Sequence, residues 1–397
     1  MLLNPMEITG DNALPTNQSP AFSDPPAGNA WKIFCGLQHL TKRALFGMRR
    51  KTQLPRLPNR SREAGKAAGQ CRTLEKEVEI PHRARIEHSA YLVFTGFFLA
   101  ALLASPVRAG NMSLPPEAIQ AMDKIYAGDP DAAITIAHAL EHAQPDHPLG
   151  YLLEGQARWW KMYCAACEIK YGMVEAWERI KEPEDDAYLE VAGKVIETAQ
   201  LRLAKSETAE MHVYAGIGWN LKARIYLLRR ENRKVARASA ASRAEMLRAL
   251  ELDPQMADAT IILGLYNYYV DALSPFVKLL RILNGIPGGD KATGVKQMET
   301  GMSQGVLLAV DVRFVLARVL RQYEQKYEQA LSDAEPLVAR YPRNPLFLLL
   351  VGNLNAELGR NAKASEYFHL ALQSRVPDSA CASRIHDIAN SFLASLD

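Results

Sequence analysis

Strand signals are scarce in this 397-residue sequence. Few stretches alternate apolar and polar residues with period two, which excludes a sandwich, a barrel or a sheet-based enzyme core. Long apolar runs are missing too. The one uncharged run of note, Ser89 to Pro106, is short for a membrane span, and no longer one follows it. Only five cysteines occur, with a single C-x-x-C, so no paired-knuckle zinc site can be assembled. No G-x-x-x-x-G-K-S/T phosphate loop is present. Strong net charge of either sign is absent, the formal value being +3.

What remains is helical. With 48% hydrophobic residues and 23% charged ones, the chain can bury a large core, and helix-spaced apolar positions dominate from about residue 115 onward. Three times a proline is followed ten residues later by a glycine inside such a run: Pro145 and Gly155, Pro254 and Gly264, Pro342 and Gly352. A recurring spacing of this kind marks stacked helix pairs, none of which can bury its apolar face alone. At the C-terminal end, Ala330 and Ala364 stand 34 residues apart, and Gly352, Ala364, Phe368 and Ala371 run small, small, bulky, small. Small residues let paired helices approach closely, and Phe368 fills the space between them.

The 34-residue period and Ala364-x-x-x-Phe368 resemble the tetratricopeptide repeat. The likeness is good over 310–375 and looser over 115–375. It implies an all-α, right-handed α-solenoid of about five or six antiparallel helix pairs with a C-terminal capping helix, used to bind partners rather than to react. Upstream, Ala133 with Pro145 and Ala249 with Pro254 close degenerate units. Gly264 finds its small partner positions at Gly294 and Gly301, some 18 residues farther than the motif allows, so an insertion is expected at 272–289. The block from Gly264 to Asp290 looks like one found in large exported bacterial repeat proteins and is similar to the inclusion-body-clearance family.

The N-terminal part differs. Residues 1–82 lack periodicity and read as a disordered segment or an over-extended reading frame. Arg83-Ala-Arg85, the apolar run and Val107-Arg108-Ala109 have the basic flank, core and small-x-small site of a secretory signal peptide over 83–109. Cleavage after Ala109 leaves 110–397 as the mature, exported chain, periplasmic or secreted. Residues 1–109 hold 15 Lys+Arg and 8 Asp+Glu; the rest hold 32 and 36, a net of −4. General affinity for nucleic acid is therefore not indicated. A basic stretch from Lys222 to Arg248, with Arg229, Arg230 and Arg233 at its centre, is either a solvated helix surface or a docking patch for an acidic partner or an anionic membrane.

Four features resemble chemistry. His138-Ala-Leu-Glu141-His142 fits H-x-x-E-H, an inverted zinc-peptidase pattern. It competes with a plain polar helix face, and makes a zinc hydrolase the rival class. Cys164-Ala-Ala-Cys167 reads as buried or idle thiols, as a Cys164–Cys167 disulfide after export, or as a redox pair. Gly285-Ile-Pro-Gly-Gly-Asp290 reads as a connector rather than an anion cradle. Tyr266, Tyr268 and Tyr269 with Phe276 are either core or one wall of a pocket that the apolar insertion, through Phe276 and Leu280, folds over. The expectation is an exported binding scaffold for a protein or small ligand, needing no cofactor. An accessory component of a periplasmic solute-uptake system is the alternative. Its partner surface is expected on the concave face lined by the first helix of each pair.

Overall fold

The computed structural model describes residues 112–170, 172–176, 181–273, 278, 281–282 and 285–396. The signal-peptide segment, Phe276 and Leu280 lie outside the described residues. The described part belongs to one compact unit that includes Val107–Asp397.

Thirteen helices are described, and twelve of them pair antiparallel in chain order. The pairs are α1 (Pro116–Tyr126) with α2 (Pro130–Ala143), α3 (Pro148–Ala165) with α4 (Pro183–Leu203), and α5 (Ala209–Leu228) with α6 (Asn232–Leu252). They continue as α7 (Ala257–Ala272) with α8 (Lys291–Gln304), α9 (Ala309–Gln322) with α10 (Tyr327–Arg340), and α11 (Pro345–Glu357) with α12 (Asn361–Gln373). A last helix, α13 (Ser379–Ala394), caps the end. The fold is thus an all-α solenoid of six pairs.

Local chemistry sets the boundaries. Helices α1, α2, α3, α4 and α11 open with proline, whose missing N–H costs nothing at a helix start. Side chains of Asp129, Thr208, Asp290, Asn344 and Asp378 cap α2, α5, α8, α11 and α13 by accepting first-turn N–H groups. Pro145, Pro254 and Pro342 occupy one equivalent turn, and the next helix begins three residues after each. Gly155, Gly264 and Gly352 are then all the eighth residue of their helix.

At two of the three, the glycine sits at the crossing of its own pair. A Cβ on Gly352 would lie 2.5 Å from Cε1 of Phe368 in α12, and one on Gly264 would lie 2.9 Å from the Gly294 carbonyl in α8. At Gly155 the contact is instead Leu221 of α5, at 2.8 Å. The same small-residue position therefore serves packing within a pair in one place and between successive pairs in another.

The solenoid does not stay open. A hairpin of β1 (Cys167–Lys170) and β2 (Met173–Ala176) interrupts the α3–α4 connection, with register Cys167 to Ala176, and reaches the far end of the stack. The Gly172 carbonyl accepts from Asn353 at 2.7 Å and from Arg321 at 3.0 Å, while Glu175 pairs with Arg318. Asn344 donates to the Tyr126 carbonyl at 2.9 Å, and Asp123 takes Arg340 and Tyr341. A disulfide, Cys164–Cys381, ties α3 to α13 across 217 residues. The two cysteines of the C-x-x-C part company: Cys164 turns to α13 instead of to Cys167, while Cys167, which starts β1, is a buried free thiol, so the thiol reading holds for that residue alone. The chain leaves the helix at Ala166, so the two cysteines do not share a helical face.

Candidate functional site

The inner face of this closed stack is largely filled by its own aromatic side chains. Trp160 sits among Tyr126, Phe314 and Phe347, with ring centroids 5.3–5.8 Å apart. One buried carboxylate organises the polar atoms. Asp311 accepts from the Tyr126 hydroxyl at 2.5 Å, from Gln156 at 3.2 Å and from the Trp160 indole at 3.1 Å. Burial and that carboxylate together push the Tyr126 phenol well above its usual range. Gln156 relays to Arg224, which donates to its amide oxygen at 2.6 Å.

Beside this network the face opens into a small cleft, part of it open to solvent. Its walls come from α3, α5, α7 and α9, the first helices of four successive pairs, with Ser239 and Ser242 of α6 at the edge. Trp159, Tyr163, Tyr266 and Phe314 give it aromatic surface; Arg224, Arg318 and Asp311 give it charge. Arg224 stacks over Trp159 at 5.4 Å, and Arg318 lies 5.4 Å from the Phe314 ring and 5.9 Å from that of Tyr163. A mostly apolar concavity with a few convergent polar groups is what small-ligand and side-chain pockets share.

The three tyrosines expected to frame a pocket separate. Tyr266 lines the cleft, and its hydroxyl donates to the Pro287 carbonyl at 2.8 Å, fixing the end of the α7–α8 connection. Tyr268 is fully buried, and its hydroxyl donates to Glu324 at 2.8 Å. Tyr269 packs edge-on to Tyr268 at 5.4 Å, so neither of these two reaches the cleft. In the connection, Lys278 pairs with Asp271 at 2.9 Å, and Arg281 donates to the Ile286 carbonyl at 2.7 Å. Gly285 has φ +67°, a turn conformation that glycine adopts without strain.

The basic stretch also divides. Arg229 is mostly buried and holds the fully buried Asp185 at 2.6 Å, a tie between α4 and the end of α5 rather than a docking group. Arg230, with φ +55°, and Arg233 are exposed. Arg248 is engaged by Glu207 and Glu251.

At the H-x-x-E-H sequence, the groups that converge are His138, Glu141 and Glu154, their ligand atoms within 4.8 Å of one another. His142 is exposed and is not among them. Glu154, from α3, is already held by Arg158 at 2.6 Å and by His138 at 3.2 Å. Burial, and then the adjacent Glu154 charge, lift the Glu141 carboxyl to about 7. These contacts tie α2 to α3, which the pattern of the two histidines alone does not reveal.

Sequence reasoning missed Asp311, Arg224 and Arg318. A signal existed in Ala309-Val-Asp311-Val-Arg-Phe-Val-Leu-Ala-Arg318, where two charges stand on an otherwise apolar helix face. Such residues are rarely buried without a specific partner.

Residues 308–380 match the family model "Tetratricopeptide repeat". No curated protein sequence matches the chain. Among solved structures, one similar chain is the C-terminal part of a TPR repeat-containing protein from Cytophaga hutchinsonii. It is 16% identical, with 70% of this chain and 87% of that one covered and a TM-score of 0.33. From α9 to the start of α13, then, the all-α solenoid carries a segment that matches the tetratricopeptide repeat.

Proposed function

We propose that this protein is an exported binding scaffold that acts by holding a partner or ligand in the inner cleft, not by chemistry. Tetratricopeptide repeats generally serve protein–protein interaction, which supports a scaffold in the broad sense. The observation that carries the site is the cleft itself: four inner helices line it with aromatic and cationic side chains. Export is supported by the signal-like segment at 83–109. The Cys164–Cys381 bridge supports it as well, since structural disulfides persist in oxidising compartments.

The test is affinity isolation from the native host with the mature chain and with Val315→Trp. Val315 is half-buried at the cleft wall, so a larger ring there fills the cleft at small cost to the core. A species retained by the parent and lost with the variant, at equal thermal midpoint, is the expected result. Equal retention by both moves the binding surface elsewhere.

A further inference from the structure

Resting on that reading of the cleft, we propose that its ligand is a small carboxylic acid with an apolar body, its carboxylate held by Arg224 and the body lying against the aromatic wall. Arg224 is only 7% exposed, yet its guanidinium hydrogen-bonds neutral oxygens alone. Its Nη1 donates to Gln156 Oε1 at 2.6 Å, and its Nε to Asn220 Oδ1 at 3.1 Å. A buried cation without an anionic contact is costly, because amide dipoles replace only part of its hydration. The carboxylate of Asp311 reaches Arg224 only through Gln156: its Oδ2 accepts from Tyr126 and Gln156, and its Oδ1 from Trp160.

Arg318, 5% exposed, adds a second donor. Glu175 engages its Nη2, but its buried Nε has no hydrogen-bond acceptor. Two buried guanidinium groups therefore line one cleft, Arg224 with only neutral acceptors and Arg318 with an unmatched Nε, and the one carboxylate in the lining, Asp311, is hydrogen-bonded to neither. A planar carboxylate matches a guanidinium fork better than a point acceptor does. Trp159 beside Arg224, and Phe314 and Tyr163 beside Arg318, line the same cleft with aromatic side chains, the apolar surroundings that the body of such an acid needs. An inorganic anion would satisfy the charge but leave that surface wet.

Isothermal titration calorimetry with phenylacetate, 4-phenylbutyrate and octanoate, each beside its primary amide, tests this on the mature chain. At least one acid should bind with its amide at least tenfold weaker, and Trp159 and Trp160 should report the same event by fluorescence. Arg224→Met should abolish the preference for acid over amide while circular dichroism confirms the fold. Should that variant fail to fold, Arg318→Met with Glu175→Met removes both partners of the second pair together. In that double variant acid affinity should fall at least threefold. Acid and amide binding equally well overturns the carboxylate assignment but leaves the cleft as the site. Failure of every acid and amide to bind overturns both. An acid preference unchanged in Arg224→Met removes that residue from the site and overturns the proposal as stated.

Discussion

Replacing Cys164 and Cys381 by alanine together should cost this protein about as much stability as any pair of substitutions it could accept. The bridge joins α3 to α13 across 217 residues, with Cα atoms 5.0 Å apart. In the chain-entropy treatment, a loop of that length restricts the unfolded ensemble by about 5 kcal/mol. For a chain of this size each kcal/mol moves the midpoint by roughly 2–4 °C, so the drop should be roughly 10–20 °C. The rest of α13 limits how local the loss can be. Ile385, Ile388, Ala389 and Phe392 remain buried, and Phe392 stacks on Phe368 at 5.0 Å. The helix should stay docked in the double variant, and its stability should fall as a whole. Thermal and urea unfolding followed by circular dichroism would compare the oxidised mature chain, the same chain with reductant, and the variant. The reduced chain and the variant should coincide. A midpoint unchanged within 2 °C, or peptide mapping that finds Cys164 joined to Cys167, would refute the closure of the stack by this bond.

Gly352→Leu should lower the midpoint by the equivalent of about 1–3 kcal/mol, because a Cβ there already meets Phe368 at 2.5 Å; differential scanning calorimetry reads it directly. Asp258→Ala should cost about 3 kcal/mol by urea denaturation. The buried carboxylate accepts the N–H groups of Val306, Leu307 and Leu308 at 2.8–3.0 Å, and each donor left unsatisfied costs about 1–3 kcal/mol, partly regained by water. Glu141 gives a pH signature. Its folded-state carboxyl is raised to about 7, so its contribution is fully present below about 4.5 and is lost as pH rises through 7. Glu141→Gln should therefore flatten the fall in midpoint between pH 5 and pH 8, and a parallel fall in both proteins would count against the Glu141–Glu154 contact.

How much of this was readable in advance follows the range of each interaction. The pairing of Gly264 with Gly294 is legible because small residues at helical spacing mean close approach, and a Cβ at Gly294 would lie 2.8 Å from the Gly264 carbonyl. Gly301 likewise abuts Ile261. The closing contacts were not legible. Tyr126 to Asp311 spans 185 residues and Arg321 to Gly172 spans 149, and neither leaves a local pattern. The hairpin at 167–176 escaped because two four-residue strands are too short for period two to show. For the site, Tyr266 was identified and Arg224 was not. Its neighbours Arg229, Arg230 and Arg233 made it look like one more solvated cation, whereas the turn of α5 puts it inside.

The most direct measurement places a photo-crosslinking amino acid at Leu265, on the cleft wall, and in a separate variant at the exposed Leu201 of α4. Each is irradiated in the native host. Capture of a defined species from position 265 and not from 201, suppressed by Val315→Trp, is what the inner-cleft account predicts. Capture from 201 with none from 265 would contradict it.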